Sequence, residues 1–317
     1  MRRVLLVKLA HVVVVLLLVS LLTTVMLELT PGGPAYAILG ESATTEQVEA
    51  FNQEMGLDRP VVERYGEWVR NVVTGNFGES YRTGQPVMEV VKARMPVTLQ
   101  LAVMALVMSL MVAVPLAVYV AYHADGRVDR AWSVVSSVLI SAPHFVVALL
   151  ASFVFAVRWK VFPVTGWEPL SNGLGPNLRS AFLPALTLAL GEIAIFSRVL
   201  RADMITTLQN DFVLAARAKG LSAKYVLFRH ALRPSSFSLL TLAGLSLGRF
   251  LGGAVVVEVI FALPGLGQLM VQSIFASDLF MVQGLVMFIA LVYVVLNALV
   301  DLAYAYLDPR VGKVRAG

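Results

Sequence analysis

The chain is 317 residues long; 58% of them are hydrophobic and only 14% are charged. A soluble globular domain carries about 45–50% apolar and about 25% charged residues, so these proportions exclude one, and they exclude a disordered chain as well. Cysteine is absent, which removes disulfides, thiolate zinc sites, iron–sulfur clusters and a cysteine nucleophile. The net charge of +5 fits either nucleic-acid binding or the Lys- and Arg-rich loops of a membrane protein; where those charges fall decides between the two.

Six apolar runs reach the ~20 residues that a membrane helix needs. They lie at about Leu9–Leu29, Val97–Tyr122, Ala131–Val157, Ala181–Leu200, Phe237–Ile260 and Met281–Leu307, and they predict an all-α polytopic membrane protein with six transmembrane helices. The first run follows Arg2 and Arg3 and precedes Ala35-Tyr36-Ala37, the form of a signal peptide. Its apolar length and the intervening Pro31-Gly32-Gly33-Pro34 favour a retained helix instead. The four histidines, His11, His123, His144 and His230, are scattered and predict no metal site. Pro143 before His144 predicts a kink in the third run.

Between the runs the loops differ in kind. Residues 31–96 carry a net charge of −3 and predict a short helix near Thr45–Met55, capped by Thr44 or Thr45, and another at Val61–Val73. Loop 123–130 is a connector. Loop 201–236 is long and rich in helix formers: Asp211 to Lys219 predicts one helix with Gly220 as its C-cap, and Ser222 caps a second at Ala223–Leu232, stopped at Pro234. Short loops and termini on one side hold 14 Lys and Arg, against 3 on the other; the 31–96 loop is set aside because long loops cross a membrane largely regardless of charge. Both termini and loop 201–236 are thus expected in the cytoplasm, N-in and C-in. The expected organisation is a first transmembrane helix over 1–30, an external loop over 31–96, and a five-helix core over 97–317 with loop 201–236. The basic residues are explained without nucleic acid. A helix–turn–helix tethered between spans suits docking to a cytosolic partner better than reading DNA.

Within that loop, Ala215-Ala216-x3-Gly220-x9-His230-x3-Pro234 resembles the E-A-A-x3-G-x9-I-x-L-P loop of permease subunits of binding-protein-dependent ABC importers. The stretch Asp211–Pro234 is closer still to the dipeptide/oligopeptide branch, with Leu214 in place of the glutamate. Further elements match in order: Leu29-Thr30-Pro31-Gly32-Gly33-Pro34, Met55–Pro60, Gly75–Tyr81, Glu258-x2-Phe261-x2-Pro264-Gly265-Leu266-Gly267, Asp278 with Gln283-Gly284, and Asn297, Asp301, Tyr304 and Asp308-Pro309-Arg310. The resemblance implies a type I importer permease fold in a bacterial inner membrane. It implies a second homologous permease subunit, two cytosolic ATP-binding subunits that hold ATP and Mg, and an external substrate-binding protein. Asp211, Ala215, Ala216, Arg217, Lys219, Gly220, His230 and Pro234 would form the ATPase-coupling loop. Small Ala215 and Ala216 would allow close approach of the partner, and Arg217, Lys219, Lys224 and Arg229 would pair with acidic groups. The chain has no G-x4-G-K-[ST] phosphate loop, so no nucleotide is expected on it. Di- or oligopeptides are the expected cargo. Nickel, glutathione or haem are alternatives within the branch.

Other classes remain to be weighed. Gly244-Leu245-Ser246-Leu247-Gly248 has the G-x-S-x-G form of a serine hydrolase, but no His follows His230. Gly244, Gly248 and Gly252 read better as a small-residue face for helix packing, with the partner permease as a candidate neighbour. Glu192 and Arg249 are charges inside spans; either they pair structurally, or they line the translocation path and meet the ends of a zwitterionic peptide. Asn297 and Asp301, at i and i+4, are expected to hydrogen-bond between helices. A secondary transporter would need ion-coupling acids at midplane and often inverted repeats; Glu192 is its one candidate acid.

Overall fold

The computed structural model describes residues 2–29, 33–40 and 42–307, with side chains from residue 10 to residue 300 of these. Thr30, Pro31, Gly32 and the Asp308-Pro309-Arg310 element lie outside the described residues, as do the side chains of Asp301 and Tyr304. The described chain is predominantly helical, with no strand beyond one isolated antiparallel bridge between Glu79 and Pro86. Five helices are long and apolar enough to cross a membrane, or six if a bent pair counts as one span. The protein is a multi-pass membrane protein.

In order, α1 (Arg2–Glu28) is followed by three short helices, α2 (Gly33–Leu39), α3 (Thr45–Glu54) and α4 (Val61–Val73). Thr44 closes a capping box with Gln47 at the start of α3. Ala35, of the signal-like Ala35-Tyr36-Ala37, is buried in α2 beside Ile38, Val48 and Phe51. At the start of α4, Arg59 grips Glu67 through two hydrogen bonds, which holds the Glu67 carboxyl below its ordinary range. Helix α5 (Val87–Tyr122) starts ten residues ahead of its predicted span, because Val87 and Val91 are fully buried among core side chains.

The third predicted span is two helices, α6 (Arg127–Ser141) and α7 (His144–Ala151), bent by 103°. Proline disfavours the α conformation for the residue before it, and Ala142 is accordingly extended at φ −75°, ψ 121°. The expected kink is therefore a full break. A π-helical stretch, Ser152–Arg158, continues α7. Helix α8 runs over Leu174–Leu208, and α9 over Asp211–Ala218. The short α10 (Ala223–Tyr225) passes through a second π-helical stretch, Val226–Leu232, directly into α11 (Arg233–Ile260). Pro234 was expected to stop that helix and does not. It lies at the start of α11 but inside the continuous helix that runs on from α10, and the wider π turn before it accommodates its ring. Then come α12 (Leu266–Phe275) and α13 (Leu279–Leu307).

Packing groups these elements into two units. One comprises residues 1–98 and 264–298, with a core of Phe77, Val87, Val91, Leu266, Leu269, Met281, Leu285 and Met287. Gly284 permits its closest approach: a Cβ there would lie 2.6 Å from the Phe77 carbonyl oxygen and 2.9 Å from Val87 Cγ1. Gln283 donates to Thr24 of α1 at 3.0 Å, and Ser80 hydrogen-bonds to buried Asp278. The other unit comprises residues 99–263 with those from 299 on, and its core joins Ala113 and Ala117 of α5, Phe196, Leu200 and Met204 of α8, and Leu227, Ala231, Leu239 and Ala243.

Candidate functional site

The loop after α8 is built as two small helices joined by a tight turn. Gly220 adopts φ +78°, its N–H donates to the Arg217 carbonyl at 2.9 Å, and the Leu221 N–H donates to the Ala216 carbonyl at 3.3 Å. This pair of bonds is a Schellman motif, in which the residue at positive φ is nearly always glycine. Lys219 holds the cap position and Gly220 follows it. Ser222 Oγ accepts from the Tyr225 N–H at 3.4 Å, as its capping role requires.

Burial divides the loop into two faces. Val213 and Ala216 point inward onto Val226, with Leu208 packed alongside. Ala216 was expected to admit a partner; it is instead 6% exposed, and its small side chain lets α9 lie against the π stretch. Ala215 does face outward. Beside it are Asp211, Arg217, Lys219, Lys224 and Arg229, and the apolar Phe212, Leu214, Leu221, Tyr225 and Phe228 are also exposed. His230 is half-buried and packs edge-on to the Tyr225 ring at 5.5 Å. The aromatic part of this surface was not singled out from the sequence, because Phe and Tyr among apolar residues give no sign of which way they point.

A second polar cluster lies within the spans. Glu192, midway along α8, pairs with Arg249 of α11: Arg249 Nη2 donates to both carboxylate oxygens at 3.0 Å and to Ser246 Oγ at 2.6 Å. Ser246 Oγ lies 2.9 Å from Glu192 Oε2 and 2.9 Å from the Leu242 carbonyl oxygen, and its one proton serves one of them. Ser246 is fully buried within a continuous helix, the opposite of the exposed strand-to-helix elbow that a hydrolase needs. The three glycines do not form one packing face. A Cβ on Gly244 would meet Val300 Cγ1 at 2.6 Å, Gly248 is buried, and Gly252 is exposed with no atom within 4 Å of such a Cβ. Gly244 therefore serves packing inside the chain.

One pair was missed altogether. Arg201, at the end of α8, hydrogen-bonds to Asp129 at the start of α6, and Asp129 Oδ2 also accepts from the Asp125 N–H at 3.0 Å. In sequence, Arg201 is one more basic residue beside a loop. Asn297 Oδ1 is buried with no partner among the described residues, so its expected inter-helix bond is not seen there.

The chain belongs to the family of inner membrane components of binding-protein-dependent transport systems. The family's model matches residues 113–313, and the model of its N-terminal region matches residues 1–102. The chain is 39% identical over 304 residues to a putative peptide transport system permease protein of Brucella abortus, covering 96% of this chain and 97% of that one. A probable peptide ABC transporter permease protein of Sinorhizobium fredii is 35% identical over 304 residues, 96% of this chain and 97% of that one. The oligopeptide transport system permease protein AppB of Bacillus subtilis is 34% identical over 300 residues, 94% of this chain and 95% of that one. The chain is thus a permease subunit of a transporter, and the hydrolase and secondary-transporter readings give way to it.

Proposed function

We propose that this chain is a permease subunit of an ATP-driven importer of di- or oligopeptides. It forms half of the translocation pathway, beside a second homologous permease. Cytosolic ATPases, which bind ATP and Mg, dock on the loop spanning 209–236, and an external binding protein delivers the peptide. The observation that carries this reading is the likeness, along nearly the whole chain, to proteins named as peptide permeases.

The loop's build supports the coupling role. Its outward face mixes apolar rings with four basic side chains, which suits a partner groove that is apolar at the centre and acidic at the rim. Its inward face seats α9 on the π stretch, which belongs to one 38-residue helix running from Ala223 to Ile260. At 1.5 Å per residue that helix is about 55 Å long. Thr207 and Ser235 hydrogen-bond at 3.0 Å, tying α8 to the same helix. A push on the loop is therefore delivered to α8 and α11, the two helices that hold the Glu192–Arg249 pair. In an alternating-access cycle, ATP-driven closure of the ATPases would move the loops together and open the helices outward; hydrolysis would reset them.

The test is purification from native membranes through a tag on this chain, followed by reconstitution of the co-purified chains in liposomes. Recovery of a second permease, ATPases and a binding protein, with ATP-dependent uptake of labelled tripeptide, is expected. Uptake of nickel, glutathione or haem in place of peptide would overturn the cargo, and recovery without an ATPase after crosslinking through 211–234 would overturn the coupling.

A further inference from the structure

Resting on the peptide-importer reading, we propose that Arg179 and Glu168 hold the two ends of a short zwitterionic peptide in the pocket between them. The pocket has a volume of about 550 Å³ and lies where the segment after the Ser152–Arg158 stretch turns into α8. Phe162, Pro163, Pro176 and Ser180 line it together with Glu168 and Arg179. Its size falls within the range of small-molecule sites, about 300–1,000 Å³.

Each charged side chain is tethered on its own and keeps spare capacity. Arg179 Nε donates to the Val161 carbonyl at 2.8 Å, and Nη1 and Nη2 make no hydrogen bond among the described residues. The Nη1–Nη2 edge thus keeps two parallel N–H donors, the geometry that grips a carboxylate bidentately. The Glu168 N–H donates to Ser180 Oγ at 3.2 Å, and the Glu168 carbonyl accepts from Asn177 Nδ2 at 2.7 Å. Of its carboxylate only Oε2 is engaged, by Asn172 Nδ2 at 2.9 Å, which leaves Oε1 to accept from an ammonium group. No ion pair joins Glu168 to Arg179 among the described residues. Opposite charges held apart across one pocket are completed by a ligand that carries both.

The frame around the pocket is fixed from three helices. The Gly166 N–H donates to the Phe261 carbonyl, just past α11, at 2.9 Å. Gln100 of α5 donates to the side chain of Asn177, which is fully buried in the first turn of α8. Phe162 stacks on Phe182 of α8, with centroids 4.6 Å apart and planes 6° from parallel. Such support holds a site in shape before a ligand arrives. Position agrees with the chemistry. The pocket adjoins the first residues of α8, and loop 209–236 follows the last of its 35 residues, roughly 50 Å away. With ATPases docked on that loop, the pocket would face the side from which peptide arrives. Two free termini of opposite charge are common to short peptides of every sequence.

The experiment uses this chain with its co-purified permease and ATPases in nanodiscs, without the binding protein, so that a peptide meets only the membrane complex. Equilibrium dialysis compares labelled trialanine with its C-terminal amide and its N-acetyl form, in wild type, Arg179→Gln and Glu168→Gln. Wild type is expected to bind trialanine about tenfold more tightly than either blocked form, the loss of one charged hydrogen-bonded contact. Arg179→Gln is expected to erase the preference over the amide and keep that over the acetyl form; Glu168→Gln should do the reverse. A folding defect does not produce that crossed pattern. Preferences that both variants keep, or no binding to wild type at millimolar trialanine, overturn the proposal. Displacement by phosphoethanolamine at a lower concentration than by trialanine overturns it in favour of a lipid headgroup. Loss of binding-protein docking from both variants, with peptide binding intact, overturns it and assigns the pocket to that protein. Uptake by wild type with its binding protein restored separates the two readings. Import of tripeptide beside a negative dialysis result removes this site alone; import of nickel or haem with no tripeptide removes the cargo reading and the site with it.

Discussion

Replacing Gly284 by Ala tests the packing of the first unit at its tightest point. The added Cβ would lie 2.6 Å from the Phe77 carbonyl oxygen and 2.9 and 3.1 Å from the two Val87 methyls. None of these atoms gives way easily. Phe77 is 4% exposed, Val87 is fully buried and its N–H donates to the Gly78 carbonyl at 2.9 Å; a β-branched side chain has no second rotamer to spare. Overpacking of this kind costs about 1–3 kcal/mol, and contact with backbone belongs at the upper end. Helix propensity returns about 1 kcal/mol, leaving a net loss of about 2 kcal/mol. At about 2–4 °C per kcal/mol for a unit of this size, the melting midpoint should fall by several degrees. Gly252→Ala is the control: with no atom within 4 Å only the propensity gain remains, and the midpoint should hold or rise. Gly244→Ala, which meets both methyls of Val300 at 2.6 and 2.7 Å, should fall between the two or join Gly284→Ala. Intrinsic fluorescence of the four tryptophans follows the melt in detergent, since the chain has no thiol for a reactive dye. A Gly284→Ala protein as stable as wild type would refute the reasoning.

Three further outcomes are expected. Gly220→Ala has open space around it but must adopt φ +78°, a strain of about 1–2 kcal/mol; substrate-stimulated ATP hydrolysis by the reconstituted complex should drop while the chain still inserts. Serine at Phe212, Tyr225 and Phe228 together, which are half-exposed and carry no core, should weaken co-purification of the ATPase without lowering the melting midpoint. Asp129→Asn leaves the partly buried Arg201 charge unmatched and should cost about 3 kcal/mol, whereas Asp129→Leu with Arg201→Met should recover most of it in the same melt.

Much of the fold was legible because membrane spans are read from apolar length alone. The Val61–Val73 helix and the Thr44 cap emerged at the expected residues because their signals are local. Ends set by tertiary packing were not legible: α5 extends back to Val87 only because Phe77 and the segment from Leu266 to Leu285 bury its first turns. The turn at Gly220 was readable, since a positive φ selects glycine. The inward turn of Ala216 was not, because two adjacent alanines look alike until Val226 covers one of them. The Glu192–Arg249 pair was readable as two costly charges in apolar runs, while Ser246, its third member, was masked by a motif that suggested other chemistry.

Pro234 shows why local rules fail where they do. A proline after eleven helix-forming residues is ordinarily a stop, and a stop would make the loop an appendage hinged on its span. The π stretch over Val226–Leu232 removes the clash by widening the turn, and buries Leu227 and Ala231 in the core while doing so. The result is a rigid connection from the exposed Lys224 to the half-exposed Arg249 along a single helix. A hinged loop could bind an ATPase but would pass on little of its motion. On the proposed coupling, a continuous helix docked at one end and holding Glu192 at the other would have no such slack, and a displacement at the loop would reach the ion pair as a change in how α8 and α11 meet. If the proposed docking holds, the residue that breaks the sequence rule is thus where docking and transport would be joined.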